Sequence, residues 1–471
     1  MKALTKLIIS FTCILSSVLP AAAQDTARSL SVVQVMEIVK RYHPVAKQAG
    51  ILVEKAKADV TIARAGFDPF FYNSFAQKTF DGTRYYEYNR PELSIPTWFG
   101  IEVTAGLEYL SGSRTDPQET SGKSSYIGLK VPLAQNLLMD KRRAALQTAR
   151  IFRNASVAEQ RSMLNDLLLE AAKAYWYWVQ YYQVYQVLNN AVLVNEKRTE
   201  LVKTAFRLGD RPAIDTAEAM AQLQNFQVLR ENAWMEFLNA GLNLSAFLWT
   251  ESDQPVNLPA DAVPADERVL NEVESMALPQ LDELLGAASR NHPDLLQYQF
   301  KLDALAVEKK LKFQELLPVV NFQYNQLGKG YNVLKTAGTP LFENNFRYGF
   351  SVGFPLRFSE GRGGYRKAKL KITETRLGQN QKQLEISNKV KSYYNELVAL
   401  KKQLVFQERA YRNYLQLQRG EEIRFGAGES SLFLVNARET KTLEALQKLQ
   451  ELRVKYLVTI SGLQWAAGVL S

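Results

Sequence analysis

The chain has 471 residues, of which 58 are basic and 48 acidic, with two histidines and a single cysteine. A formal charge of +10 could suit a polyanion. The charges alternate in sign along helix-forming stretches, however, which suits a solvated helical face and argues against nucleic acid as a partner. One cysteine leaves no disulfide framework and no cysteine metal site.

Residues 1–23 read as a secretory signal. Lys2 and Lys6 precede a short apolar run, and Ala21-Ala22-Ala23 offers a small-residue cleavage site. An uncleaved anchor is the alternative, but the run is short for a span. Cys13 lies inside it, so the mature chain carries no thiol, and loss of the two lysines lowers the charge to +8. No later window holds 18 consecutive apolar residues, which leaves a soluble protein or one that enters a membrane as β-strands.

Residues 31–65 read as a helix broken at His43. Both histidines sit in Arg-x-His-Pro, at residues 41–44 and 290–293. A metal pair or an internal duplication would each explain that. His43/His292, Arg41/Arg290, Gln48/Gln297 and Pro69/Pro318 share one offset of 249 positions, and Pro132/Pro355 and Arg143/Arg366 share an offset of 223. The chain is therefore read as a tandem duplication: repeats at 24–250 and 279–471, joined by a proline-rich acidic linker at 251–278. Proline disfavours the α conformation in the residue before it and suits the first helical position, so each His-Pro marks a helix break.

After each of these helices the apolar period becomes two. In the first repeat Ile101, Val103, Ala105, Leu107 and Tyr109 alternate with Glu102, Thr104, Gly106 and Glu108, and Ile127, Leu129 and Val131 with Gly128 and Lys130. In the second, Val320, Phe322 and Tyr324 form one strand, and Phe346, Tyr348, Phe350 and Val352 its partner. This suits lipid-facing barrel strands with a wet lumen, and a half-buried soluble hairpin shares the period. Residues 70–95 are surplus to the duplication and are expected to form a small extra hairpin or an ordered loop at the barrel base. Two hairpins give four strands per copy, too few to close, so three copies would supply twelve.

Long proline-free helices are expected at roughly 136–206 and 359–425, each about 100 Å long at 1.5 Å per residue. The aromatic cluster at residues 174–185 is expected to pack between helices. Phe206-x-x-Gly209 and Phe425-x-x-Gly428 supply glycine turns, and Asp210, with Ser430 or Ser431, is expected to cap the return helices.

The layout resembles the TolC-type outer-membrane efflux proteins over nearly the whole mature chain. The likeness rests on the His-Pro and Pro anchors, the "VPL" and "FPL" strand ends, "FRLGDRPAID" and "FGAGESSLFLVNARE". It implies a mixed fold of long coiled-coil helices plus membrane β-hairpins, assembled as a homotrimeric α/β-barrel tunnel. Such a protein would stand in the outer membrane of a Gram-negative bacterium with its helices in the periplasm. Its partners would be a periplasmic adaptor, an inner-membrane pump and outer-membrane lipid.

Carried over, the tip and adaptor contact would comprise Phe206, Arg207, Leu208, Gly209, Phe425, Gly428, Glu429, Ser430 and Ser431. Asp215, Arg424, Asn436 and Arg438 are the gate candidates, with Arg207, Arg424 and Arg438 as expected partners of Asp215. The family's acidic pair at the constriction falls near Phe433 and Asn436, neither acidic here, which leaves Glu429 or Glu439 as substitutes. A secreted enzyme would need a convergent nucleophile, acid–base pair or metal set, and none is visible, so no catalysis and no cofactor or metal is expected. The competing reading is a soluble periplasmic coiled-coil scaffold, which would leave the alternating strands unused.

Overall fold

The computed structural model describes residues 29–116 and 118–470. The expected signal at 1–23, with Cys13, lies outside the described residues. The chain begins with a two-residue strand, β1 (Ser29–Leu30), and two helices, α1 (Val32–Tyr42) and α2 (Pro44–Arg64). Ser31 starts α1 with a capping box, its side chain accepting the Gln34 N–H at 3.3 Å while Gln34 Oε1 accepts the Ser31 N–H at 2.9 Å.

Four strands follow α2: β2 (Phe70–Phe80), β3 (Thr83–Pro96), β4 (Glu102–Ser111) and β5 (Gly122–Pro132). Then come α3 (Lys141–Arg207) and its return helix α4 (Ala213–Ser245). The connector carries β6 (Val263–Pro264) and α5 (Glu267–Glu272). The second half runs α6 (Leu281–Asn291), α7 (Pro293–Gln314), β7 (Val319–Lys329), α8 (Val333–Ala337), β8 (Phe346–Gly353), α9 (Ser359–Gly426) and α10 (Leu432–Ala466).

Each histidine ends one helix and begins the next. His43 and His292 are extended, with ψ of 135° and 126°, and each is both C-cap and N-cap. The His43 Nδ1 accepts the Val45 N–H and the His292 Nδ1 the Asp294 N–H, both at 3.2 Å. Each ring thus serves its own helix start, and burial lowers both imidazole pKa values.

The strand count differs from expectation. Six strands form one antiparallel sheet in the order β2-β3-β4-β5-β7-β8. Residues 70–95 form the extra hairpin and not the ordered loop, but it is no small basal elaboration: they supply β2 and most of β3, strands of 11 and 14 residues within the one sheet. Pro91 and Pro96 obscure β3, because a proline lacks the N–H of a ladder bond. The chain tolerates Pro91 because the β3–β4 pairing lapses across Arg90 and Pro91 and resumes at Glu92 in the same register.

The register sorts the residues by face. Ile95, Val103, Leu129, Tyr324 and Tyr348 stand opposite one another across five strands. On the other face the ladder reads Ser94, Thr104, Gly128, Asn325 and Arg347. One side is apolar, the other small and polar.

The sheet stands on one end of the helices. At 1.5 Å per residue, α3 and α9 are each about 100 Å long. Beside the sheet, α3 packs on α2 and α7, and α7 on α9; toward the far end, α4 lies along α3 and α10 along α9. The core sits where the short helices change over. There Tyr175, Trp178 and Val179 of α3 meet Val35 and Val39 of α1, Phe237 of α4 and Leu397 of α9. Burying each such side chain stabilises the fold by about 1.5–3 kcal/mol.

The connector is more structured than its prolines suggest. Leu270 and Val273 are buried in that core. The Asp266 carboxylate accepts the Val32 N–H at 2.7 Å and the Tyr175 hydroxyl at 2.6 Å, and burial followed by this bond pushes the Tyr175 pKa up.

Candidate functional site

The far end of the helices carries two turns built alike. Arg207 ends α3, and Gly209 follows with φ of +82°; Gly426 ends α9, and Gly428 follows with φ of +79°. In each, two carbonyls left free by the helix end are satisfied by the turn. The Gly209 N–H donates to Phe206 and the Asp210 N–H to Ala205; likewise Gly428 donates to Phe425 and Glu429 to Arg424. This paired bond pattern requires a left-handed residue, which glycine adopts without a Cβ clash.

The return helices start differently from expectation. Ser431 caps α10, accepting the Leu434 N–H at 3.4 Å. Asp210 caps nothing: the N-cap of α4 is Pro212, because two more residues intervene before the helix. Ser430 instead donates to Glu421 Oε1 at 2.5 Å.

The two turns are tied together by a residue the sequence did not single out. The Arg211 guanidinium donates to the Phe425 carbonyl at 2.8 Å and lies 4.0 Å above the Phe425 ring. Its other side faces Asp215 at 3.8 Å. Asp215 therefore pairs with Arg211, one turn away on its own strand of chain, and not with Arg207, Arg424 or Arg438. Phe425 itself packs against Val202, Ala219 and Leu432, so its ring joins α3, α4 and α10.

Arg424 and Arg438 converge instead on Glu421, at 3.8 and 3.9 Å, and Glu421 is buried. Asn436 is buried too, its amide donating to Glu218 of α4 at 3.4 Å. Glu439 is no candidate for an exposed acidic ring. It lies between α3 and α10, 4% exposed at its side chain, bonded to Arg198 at 2.6 Å and to Asn195 at 3.0 Å. Glu429 remains exposed. Glu421 could have been found from its helical spacing to Arg424; the Arg211 contact spans 214 positions and has no sequence signal.

Phe206, Leu208 and Phe433 stand exposed at this end, Leu208 by 73%. Behind the turns a cleft of about 500 Å³ is lined by Leu201, Val202, Arg211, Phe425 and Val435, among others. The end of the molecule thus offers apolar side chains on glycine turns beside partly buried ion pairs, an arrangement suited to protein docking.

No family model matches the sequence, and no curated protein does. Solved structures do. CmeC, an outer-membrane channel of Campylobacter jejuni, is 15% identical with a TM-score of 0.60, covering 93% of this chain and 86% of that one. The chain has the fold of an outer-membrane channel. The outer-membrane protein VceC of Vibrio cholerae matches at TM-score 0.63 and 15% identity, with 93% and 96% coverage. The outer-membrane channel MtrE of Neisseria gonorrhoeae, in its open state, matches at 0.63 and 15%, with 93% and 89% coverage. Among the described residues no helix is long and apolar enough to cross a membrane.

Proposed function

We propose that this chain is the outer-membrane channel of a tripartite efflux or type I secretion system. Three copies close a β-barrel in the outer membrane of a Gram-negative bacterium and a helical tunnel in the periplasm. Substrates pass from an inner-membrane pump and periplasmic adaptor through the tunnel to the exterior, and no bond is made or broken by this chain. The adaptor meets the tip formed by Phe206, Arg207, Leu208 and Gly209 and by Phe425, Gly428, Glu429, Ser430 and Ser431. Asp215, Arg424, Asn436 and Arg438, with Arg211 and Glu421, hold the resting mouth.

The observation that carries this reading is the sheet. One face is apolar, with Tyr348, Phe350 and Val352 each more than half exposed, and it stands at the end of helices far longer than a globular core needs. A water-facing sheet would leave that surface uncovered; lipid covers it. The repeats at 24–250 and 279–471 would then supply equivalent parts of one tube wall, with 251–278 bracing its middle.

Membrane fractionation tests the reading against the scaffold alternative. The protein is expected to stay with outer membranes through detergent-free extraction and to form ion-conducting pores in planar bilayers. Release with the soluble periplasm would establish the scaffold instead.

A further inference from the structure

We propose that the membrane barrel has eighteen strands, with β8 of each copy pairing with β2 of the next. The inference rests on the trimeric-channel reading above and concerns what that trimer builds.

The sheet of one copy is a continuous antiparallel run of six strands. Its two ends, β2 and β8, have no second neighbour among the described residues. An unpaired backbone edge has no viable place in hydrocarbon, so a sheet in a membrane must close. β2 leaves the top of α2 and β8 runs back into α9. The two edges therefore run in opposite directions, and joining them continues the antiparallel pattern. That junction also sets α9 of one copy beside α2 of the next, extending the helix order α2, α3, α7, α9.

The extra hairpin is part of the wall and not an appendage to it. On the polar face Arg90 of β3 reaches Glu108 of β4 at 3.3 Å and the Tyr126 hydroxyl of β5 at 3.0 Å. Lys130 of β5 reaches Glu102 of β4 at 3.2 Å. Glu108 is 4% exposed, so these charges are paired across strands in a sheltered layer. Detaching β3 from β4 would strand Arg90 and Glu108. At the periplasmic base, Trp98 and Phe99 stand exposed in the β3–β4 turn, as interfacial aromatics do in barrels.

Dimensions accommodate the larger count. Four helix columns per copy at about 8–10 Å spacing give three copies a ring of roughly 95–120 Å circumference. Eighteen strands about 4.8 Å apart and tilted by about 40° span roughly 113 Å, whereas twelve span only about 75 Å. The larger barrel sits on the helix ring without narrowing, at about 36 Å between backbones, against about 24 Å for twelve strands. A barrel of that size holds an aqueous channel.

Electron cryomicroscopy of the trimer in lipid nanodiscs counts the strands directly. Tyr72→Cys on β2 combined in turn with Gly349→Cys, Ser351→Cys and Gly353→Cys on β8 scans the junction on one face. Eighteen strands, with an oxidation-dependent ladder of linked copies in at least one pair, is the expected result. A membrane trimer with twelve strands and no linkage in any pair would overturn the proposal and leave the channel reading intact. A protein that forms no membrane oligomer would overturn both.

Discussion

Arg211→Ala is expected to loosen the helical mouth. A hydrogen bond with one charged partner contributes about 1.5–3 kcal/mol. A partly desolvated cation over an aromatic ring adds about 1 kcal/mol, and the Asp215 pair, at 3.8 Å, no more than about 0.5 kcal/mol. Arg211 is about a quarter exposed, so the lower values apply, and the tie between the two turns is worth about 2–3 kcal/mol. At 1.4 kcal/mol per tenfold, a mouth that opens by parting these turns should gain about 30- to 150-fold in open probability. Single-channel recording in planar bilayers reads that quantity, with trimer level checked by native gel. Asp215→Ala removes only the weakest contact and should change it less than about threefold. Open probability within threefold of wild type in Arg211→Ala, or a larger effect from Asp215→Ala, would refute the assignment of Arg211 as the tie.

At the turns, Gly209→Val or Gly428→Val should cost about 1–2 kcal/mol locally, since a β-branched residue resists positive φ. Efflux and adaptor co-purification should fall while trimer abundance is unchanged, and normal docking in both would remove the turns from the adaptor site. The histidine caps predict an acid dependence. Burial lowers the folded-state pKa, so the unfolded chain binds more protons below about pH 6.5; this stabilisation is complete above that pH and is lost on acidification. Around His292 the charged groups Asp166, Asp294, Lys382 and Lys389 are common to both states of the test. His43→Asn with His292→Asn should keep fold and transport, since Asn also caps, and should flatten the fall in Tm between pH 7.5 and 5; an unchanged slope would assign the dependence elsewhere. Asp266→Ala removes the acceptor of the Val32 N–H and leaves the Tyr175 hydroxyl only the Leu30 carbonyl, 2.9 Å away. A loss of about 1–2 kcal/mol in denaturant melts is expected, and no measurable loss would mean that water replaces the carboxylate.

Much of the architecture was legible because it follows from local rules. Helix-breaking His-Pro steps, period-two strands, long proline-free stretches and Gly209 and Gly428 turns each depend on a few adjacent residues. The strand count was not legible. Pro91 and Pro96, with the run "TRYYEYNRPELSIP", hide β3, and only the β4 partner shows that the missing N–H falls where pairing lapses. The site divides in the same way. Its positive-φ glycines were readable, as was the Ser431 cap, whereas Asp210 was misjudged because helix α4 begins two residues later than the motif suggests.

What the sequence by itself determined, then, was the kind of element at each place, since dihedral preference and side-chain periodicity are properties of neighbours along the chain. What only the tertiary structure decided was which elements meet: Arg211 with Phe425, Glu439 with Arg198, and β2 and β3 within the one sheet. Those contacts join residues far apart in sequence, and their partners are selected by packing and charge once the helices have set the geometry.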